Sequence, residues 1–173
     1  MHKFVTLLPL KAFQYKKVKF YSVQIESQDV TEFEDFLNRM EDIPAVEDDL
    51  INLIVWIKEI GQKYGAQKKF FRDEGTYADA SALPPPGKTM RLKEIEVRGL
   101  RLYCLRANEH VVILFNGGLK TSQKAQDCPN VATYFNQANQ LTKVIDQLFQ
   151  QREITWNESF TDIIFDENLQ IEL

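Results

Sequence analysis

The stretch GLRLYCLRANEHVVILFNGGLKTSQK, residues 99–124, sets Arg101, Arg106, Lys120 and Lys124 in or beside two short apolar runs. A hairpin built only for structure can keep its cations at its ends. A guanidinium inside the first run suits a phosphate, which it can grip through two oxygens and whose transition-state charge it can stabilise. Alternation along LRLYCLR puts Leu100, Leu102 and Cys104 on one sheet face and Arg101, Tyr103 and Leu105 on the other. Arg101 is therefore the first catalytic candidate, with a structural ion pair to Glu94 or Glu96 as the alternative. Lys120, a second catalytic candidate, and Lys124 either hold phosphate or are solvated lysines after a strand. Tyr103 either stacks a base, carries a proton, or simply packs. Lys88, Arg91, Lys93 and Arg98 widen the basic surface and complete the RNA-binding candidates with Lys124. No His, Cys, Asp or Glu cluster has metal-ligand spacing, so the expected metal set is none, as is the expected cofactor.

The surrounding charge fits an anionic partner. Residues 66–124 carry eleven Lys and Arg against six Asp and Glu, a balance of +5, whereas residues 1–65 balance at −3 and residues 125–173 at −6. A basic middle between acidic flanks favours a local patch for phosphate over indiscriminate binding along a polyanion; a merely solvated basic face is the alternative. The 173 residues suffice for one core with decorated ends, and 44% apolar with 27% charged residues is a globular composition. Cys104 and Cys128 form no CxxC pair and read as isolated thiols of a reducing compartment, so the cytoplasm is expected. The first residues, MHKFVTLLPLKAFQYKK, read as neither signal peptide nor membrane span, and no membrane partner is expected.

The elements that must position these residues follow from periodicity. KVKFYSVQIE, 17–26, reads as a strand. Thr31 and Glu34 form a capping-box signature ahead of Phe33, Phe36, Leu37 and Met40 at helical spacing. Pro44 separates that helix from a second, striped by Leu50, Leu53, Ile54, Ile57, Ile60 and Tyr64, led by Asp48 and Asp49 and closed by Gly65. Residues 66–90 read as a loop. MRLKEIEV, LRLYCLR and VVILF then read as an antiparallel meander with turns at Arg98-Gly99 and Ala107-Asn108-Glu109, and Asn130 as the cap of a helix striped by Val131, Tyr134, Phe135, Ala138, Leu141, Val144, Ile145, Leu148 and Phe149. The expected class is α+β, a mostly antiparallel sheet with two N-terminal helices and a C-terminal helix, the helices on one face. Residues 1–16 are expected as an N-terminal extension and 17–152 as the domain. Residues 153–173 are expected as an acidic extension that adds a strand or stays mobile.

The segments LKEI at 92–95, GLRLYC at 99–104, VVIL at 111–114 and GLKTSQK at 118–124, with Pro129 and Ala138 downstream, resemble the HigB-like branch of the RelE/ParE toxin superfamily. The resemblance covers residues 18–149 in element order. It implies a small RelE-like fold and a type II toxin that cleaves messenger RNA on the ribosome by 2′-hydroxyl attack without metal. A cognate helix-turn-helix antitoxin is the implied partner, with no DNA contact by the toxin itself. Arg101 matches the superfamily arginine, and Lys120 and Lys124 match lysines of the F-x-K-K-T-x-K segment. Glu96 stands where the family strand commonly ends in arginine, Thr121 replaces the second lysine of K-K-T, and AQDC is inserted before Pro129. Neither His2 nor His110 matches a family histidine, which leaves Tyr103, Glu94 or Tyr134 as the general base. Those departures favour a second reading, a catalytically weakened member that binds protein or RNA.

Overall fold

In a computed structural model of the chain, residues 2–74, 79–121 and 127–173 are described. Thirteen regular elements carry labels here: β1 (Phe4–Gln14), β2 (Lys19–Ile25), α1 (Glu32–Glu41), α2 (Glu47–Glu59), β3 (Arg72–Asp73), β4 (Ser81–Leu83), α3 (Gly87–Lys93), β5 (Leu100–Arg106), β6 (Val111–Leu119), α4 (Ala132–Gln150), β7 (Ile154–Trp156), β8 (Ile163–Phe165) and β9 (Gln170–Glu172). Seven strands form one sheet in the order β3-β4-β5-β6-β2-β1-β9, and β7 and β8 pair separately. Every pairing is antiparallel except that of β2 with β6, where Lys19–Ser22 run beside Val111–Leu114. The expected α+β class with a mostly antiparallel sheet is the one observed.

The first two helices form where their signals lie. Thr31 accepts from the Glu34 amide while the Glu34 carboxylate accepts from the Thr31 amide, so both halves of the capping box are present. Glu47, Asp48 and Asp49 fill the first turn of α2, where negative charge offsets the helix dipole. A π-helical turn over Ile60–Tyr64 extends α2, and Gly65 ends it at a φ of 78°, a conformation that costs glycine nothing. Phe33, Phe36, Leu53, Trp56 and Ile57 pack with Leu100, Leu102 and Cys104 in a core on one side of the sheet. Phe135, Ala138, Leu141 and Ile145 of α4 pack with Tyr103, Leu105 and Ile113 on the other. The helices therefore cover both faces, not one. A strand that is apolar at every position, such as VVILF, needs a core on each side.

Two further expectations are corrected. Residues 91–97 do not open a meander: α3 runs to Lys93, Glu94 adopts a left-handed φ of 57°, and the chain continues irregularly to β5. The alternation of MRLKEIEV reflects Met90, Ile95 and Val97 packing on the first core while Leu92 stays exposed. Trp56 and Asn52 of α2 donate to the carbonyls of Ile95 and Glu96, each at 2.8 Å, taking acceptors a ladder would have used. The place beside β5 is filled by β4, drawn from the segment read as a loop. Secondly, residues 1–16 are not an extension, because β1 pairs with β2 and carries Val5 and Leu7 into the second core. The acidic tail takes the first of its two expected courses and adds a strand: β9 pairs with β1, and Tyr21 on β2 donates to Asp162 at 2.5 Å, fastening the β7–β8 hairpin. The final helix starts at Ala132 after Val131, and the carbonyl of Cys128, not a side chain of Asn130, accepts from the Val131 and Ala132 amides.

Candidate functional site

The face of β5 that carries Arg101 is closed over by neighbouring chain. Arg101 Nε lies 3.7 Å from one carboxylate oxygen of Glu74, and Lys120 Nζ lies 3.7 Å from the other. The three side chains are only 12%, 11% and 7% exposed for Arg101, Lys120 and Glu74. Arg101 also donates to the Leu100 carbonyl at 2.9 Å, but its Nε has no hydrogen-bond partner among the described residues. Arg72 stands nearby and donates to the Pro84 carbonyl at 2.9 Å. Burial pulls its pKa down, and so does the charge of Arg101, against the opposing charge of Glu74. Among the described residues, the cluster is thus three cations about one carboxylate. Glu74, not Glu94 or Glu96, is the partner of Arg101; Glu96 pairs instead with exposed Arg98 at 3.7 Å.

Tyr103 follows Arg101 on the same face and is wholly buried, its ring packed edge-on against Phe135. It has no free face on which a base could stack; of its three readings, packing is the one this environment fits. Its hydroxyl is buried without a hydrogen-bond partner among the described residues. Burial, then the charge of Glu74, pushes the phenol well above its usual range, while Arg101 opposes the shift. At neutral pH the group is a proton donor in search of an acceptor.

The other cationic candidates do not converge on Arg101. Lys88, Arg91 and Lys93 are exposed on α3, which packs on the opposite core through Met90, and the Lys93 ammonium sits over the Tyr64 ring at 4.9 Å. The strand that would have carried them to Arg101 is absent, because the backbone there is helical. Lys124 lies outside the described residues.

A second polar constellation joins β6 to α1 and was missed. Cys104 pairs with Leu114 and Leu102 with Gly117, so two residues of β6, Phe115 and Asn116, face one of β5. Such a bulge re-aims a side chain. Asn116 donates to Glu32 and Asp35, and Arg39 donates to Asn116, to the Gly117 carbonyl at 2.7 Å and to Asp35 at 2.9 Å. The Arg39 guanidinium then covers the Tyr134 ring of α4 at 4.4 Å. Burial holds the Glu32 carboxyl above the usual carboxylate range; the Asp35 charge adds to the shift, and the Asn116 hydrogen bond opposes it. Since the folded state binds this proton more tightly than the unfolded chain, the contribution of Glu32 to stability is fullest below the ordinary glutamate pKa. It is lost as pH rises through the raised folded value. Glu32→Gln, uncharged throughout, is expected to improve in Tm relative to wild type on going from about pH 4 to about pH 7. An equal Tm difference at both would reject that role.

Glu74 is one of six acids in the basic segment with nothing in the sequence to set it apart, and Asn116 is legible only as a polar residue ending the apolar run VVILF. No protein-family model, curated protein or solved structure matches the chain. No helix among the described residues is long and apolar enough to cross a membrane.

Proposed function

We propose that the chain is a toxin of the RelE/ParE superfamily, HigB-like branch, that cleaves messenger RNA on the ribosome. The observation that supports this most is the pairing of Arg101 and Lys120, brought from β5 and from just past the end of β6 to opposite oxygens of one carboxylate. Two cations so spaced suit a phosphodiester. In cleavage by this route the ribose 2′-oxygen attacks the adjacent phosphorus and loses its proton, the bond to the 5′-oxygen breaks, and that oxygen takes up a proton. The products are a 2′,3′-cyclic phosphate and a 5′-hydroxyl. Negative charge grows on the non-bridging oxygens in between, where a guanidinium and an ammonium stabilise it most. Expression of the chain alone tests the proposal: growth should stop and translated messages should shorten. Unimpaired growth with intact messages would refute it.

The second reading, a RelE-like protein that binds without cutting, is favoured by Glu74, which already neutralises part of the cationic pair, and by the burial of Tyr103. Either way RNA binding should be local and salt-sensitive. Retention of a short RNA on filters is expected to fall steeply with salt, and Lys120→Ala is expected to shallow the slope of log affinity against log salt by about 0.7, one phosphate contact on a single strand. A slope unchanged by the substitution would remove Lys120 from the interface.

A further inference from the structure

We propose that Glu74 is a built-in competitor for the phosphate site, its carboxylate lying where an RNA phosphate must sit between Arg101 and Lys120. The inference rests on reading those two cations as the phosphate-holding pair, but not on whether RNA is cut.

Several observations meet on it. Charge-assisted N–H···O bonds are about 2.7–2.9 Å long. Glu74 stands 3.7 Å from both cations, inside ion-pair range but too far for such bonds, and Arg101 Nε is left without a hydrogen-bond partner among the described residues. The carboxylate is thus an occupant that does not satisfy its hosts. Charge gives a second sign. Among the described residues, Arg72, Arg101 and Lys120 outnumber Glu74, the one carboxylate that acts on them. A largely buried site with surplus positive charge calls for an anion of higher charge or more oxygens than one carboxylate. Thirdly, the Tyr103 hydroxyl, two residues along the same face of β5 from Arg101, is fully buried and has no acceptor among the described residues. A phosphate can turn a separate oxygen to Arg101 Nε and to Lys120 Nζ and still keep acceptors for a further donor. A carboxylate has two oxygens, and each is already turned to a cation.

For phosphate to enter, the Glu74 side chain has to leave, and its charge has to return to water. That cost is subtracted from the affinity of the wild type. Removing the charge while keeping the shape should therefore raise affinity, a result that no merely structural ion pair gives. Inorganic phosphate is the probe, titrated calorimetrically into the full-length protein against chloride of equal ionic strength. Glu74→Gln is expected to bind at least about tenfold more tightly than wild type. Glu74→Asp, which draws the carboxylate back by one methylene, is expected to fall between them, and Glu74→Gln combined with Arg101→Ala to lose the gain. Loss of the counter-charge among buried cations can cost enough stability to unfold the Gln variant. In that event Glu74→Asp decides, since it keeps the charge.

Affinity for phosphate that is no higher than wild type in Glu74→Gln, or in Glu74→Asp where only that variant folds, overturns the proposal. So does RNA cleavage that falls in Glu74→Gln while phosphate affinity stays the same, which would make Glu74 a participant in the chemistry. Tighter phosphate binding in a protein that never cuts RNA upholds the competitor and defeats the endonuclease. Cleavage by the wild type with no gain on substitution does the reverse.

Discussion

Arg101→Ala is expected to abolish growth inhibition while leaving the protein folded. The guanidinium is the better placed of the two cations to meet charge developing on phosphorus, since Arg101 is held within the β5–β6 ladder opposite Gly118, whereas Lys120 lies just past the end of β6. An interaction that strengthens in the transition state is worth more to rate than to binding. Removing one such contact costs about 2–4 kcal/mol, or roughly 30- to 1,000-fold in rate. Arg101→Lys should restore only part, because an ammonium lacks the planar fork that holds two oxygens. Folding is expected to survive because Lys120 still faces Glu74, so the carboxylate keeps a counter-charge. The comparison is growth and message length on expression of wild type and both variants, with circular dichroism as the control on fold. A toxic wild type matched by an equally toxic Arg101→Ala would take the catalytic role from this residue.

The largest effect on stability is expected at Gly117. A β-carbon there would lie 1.8 Å from the Arg101 carbonyl oxygen, 2.8 Å from its carbon and 3.0 Å from the Leu102 α-carbon. All three are backbone atoms of the partner strand, so no side-chain rotation relieves the clash. Gly117→Ala must push β5 and β6 apart at the bulge, next to the residue whose side chain reaches Glu74. Overpacking a tight site costs about 1–3 kcal/mol, occasionally more, and this contact belongs at the top of that range or beyond it. For a domain of this size about 3 kcal/mol corresponds to a fall in Tm of about 6–12 °C. Phosphate affinity should fall with it, since Arg101 moves with its carbonyl. A Tm within about 2 °C of wild type would mean that the two strands are not so closely apposed.

What could be read from the sequence divides by the range of the interactions concerned. Thr31 with Glu34, the stripe of α2, Gly65 and the alternation of LRLYCLR are local signals, and each element formed as read. Ala107-Asn108-Glu109 also forms the expected turn, with Asn108 accepting from the His110 and Val111 amides. MRLKEIEV misled because its apolar residues meet a core without a ladder: the carbonyls that a strand would have offered to β5 are taken by Trp56 and Asn52, residues some forty positions earlier. β1 was missed since its worth as a strand depends on β2 on one side and β9 on the other, and β9 is contributed by the far end of the chain. The site divides in the same way. Arg101 and Lys120 were legible as cations out of place in apolar runs, and their convergence follows from the pairing of β5 with β6. Their shared anion was not, because Glu74 reaches them from a segment whose course depends on β3 and β4, two very short strands with little periodicity. The cations of α3 were assigned to the site only through a strand that does not exist.

The parallel pairing of β2 with β6 sets an order of events during synthesis. Lys19–Ser22 leave the ribosome early, yet the strand they finally lie beside begins at Val111. Until then β2 has β1 along one edge and nothing along the other, while Phe20 and Val23, fully buried in the finished sheet, lack much of their packing. Contacts between such distant residues form slowly, because the intervening chain must first be drawn into a closed loop. A bare strand edge backed by apolar side chains meanwhile offers a template to any neighbouring nascent chain. Fragments that stop short of Val111 are therefore expected in the insoluble fraction, and the interval before β6 emerges is when the growing chain depends most on a chaperone.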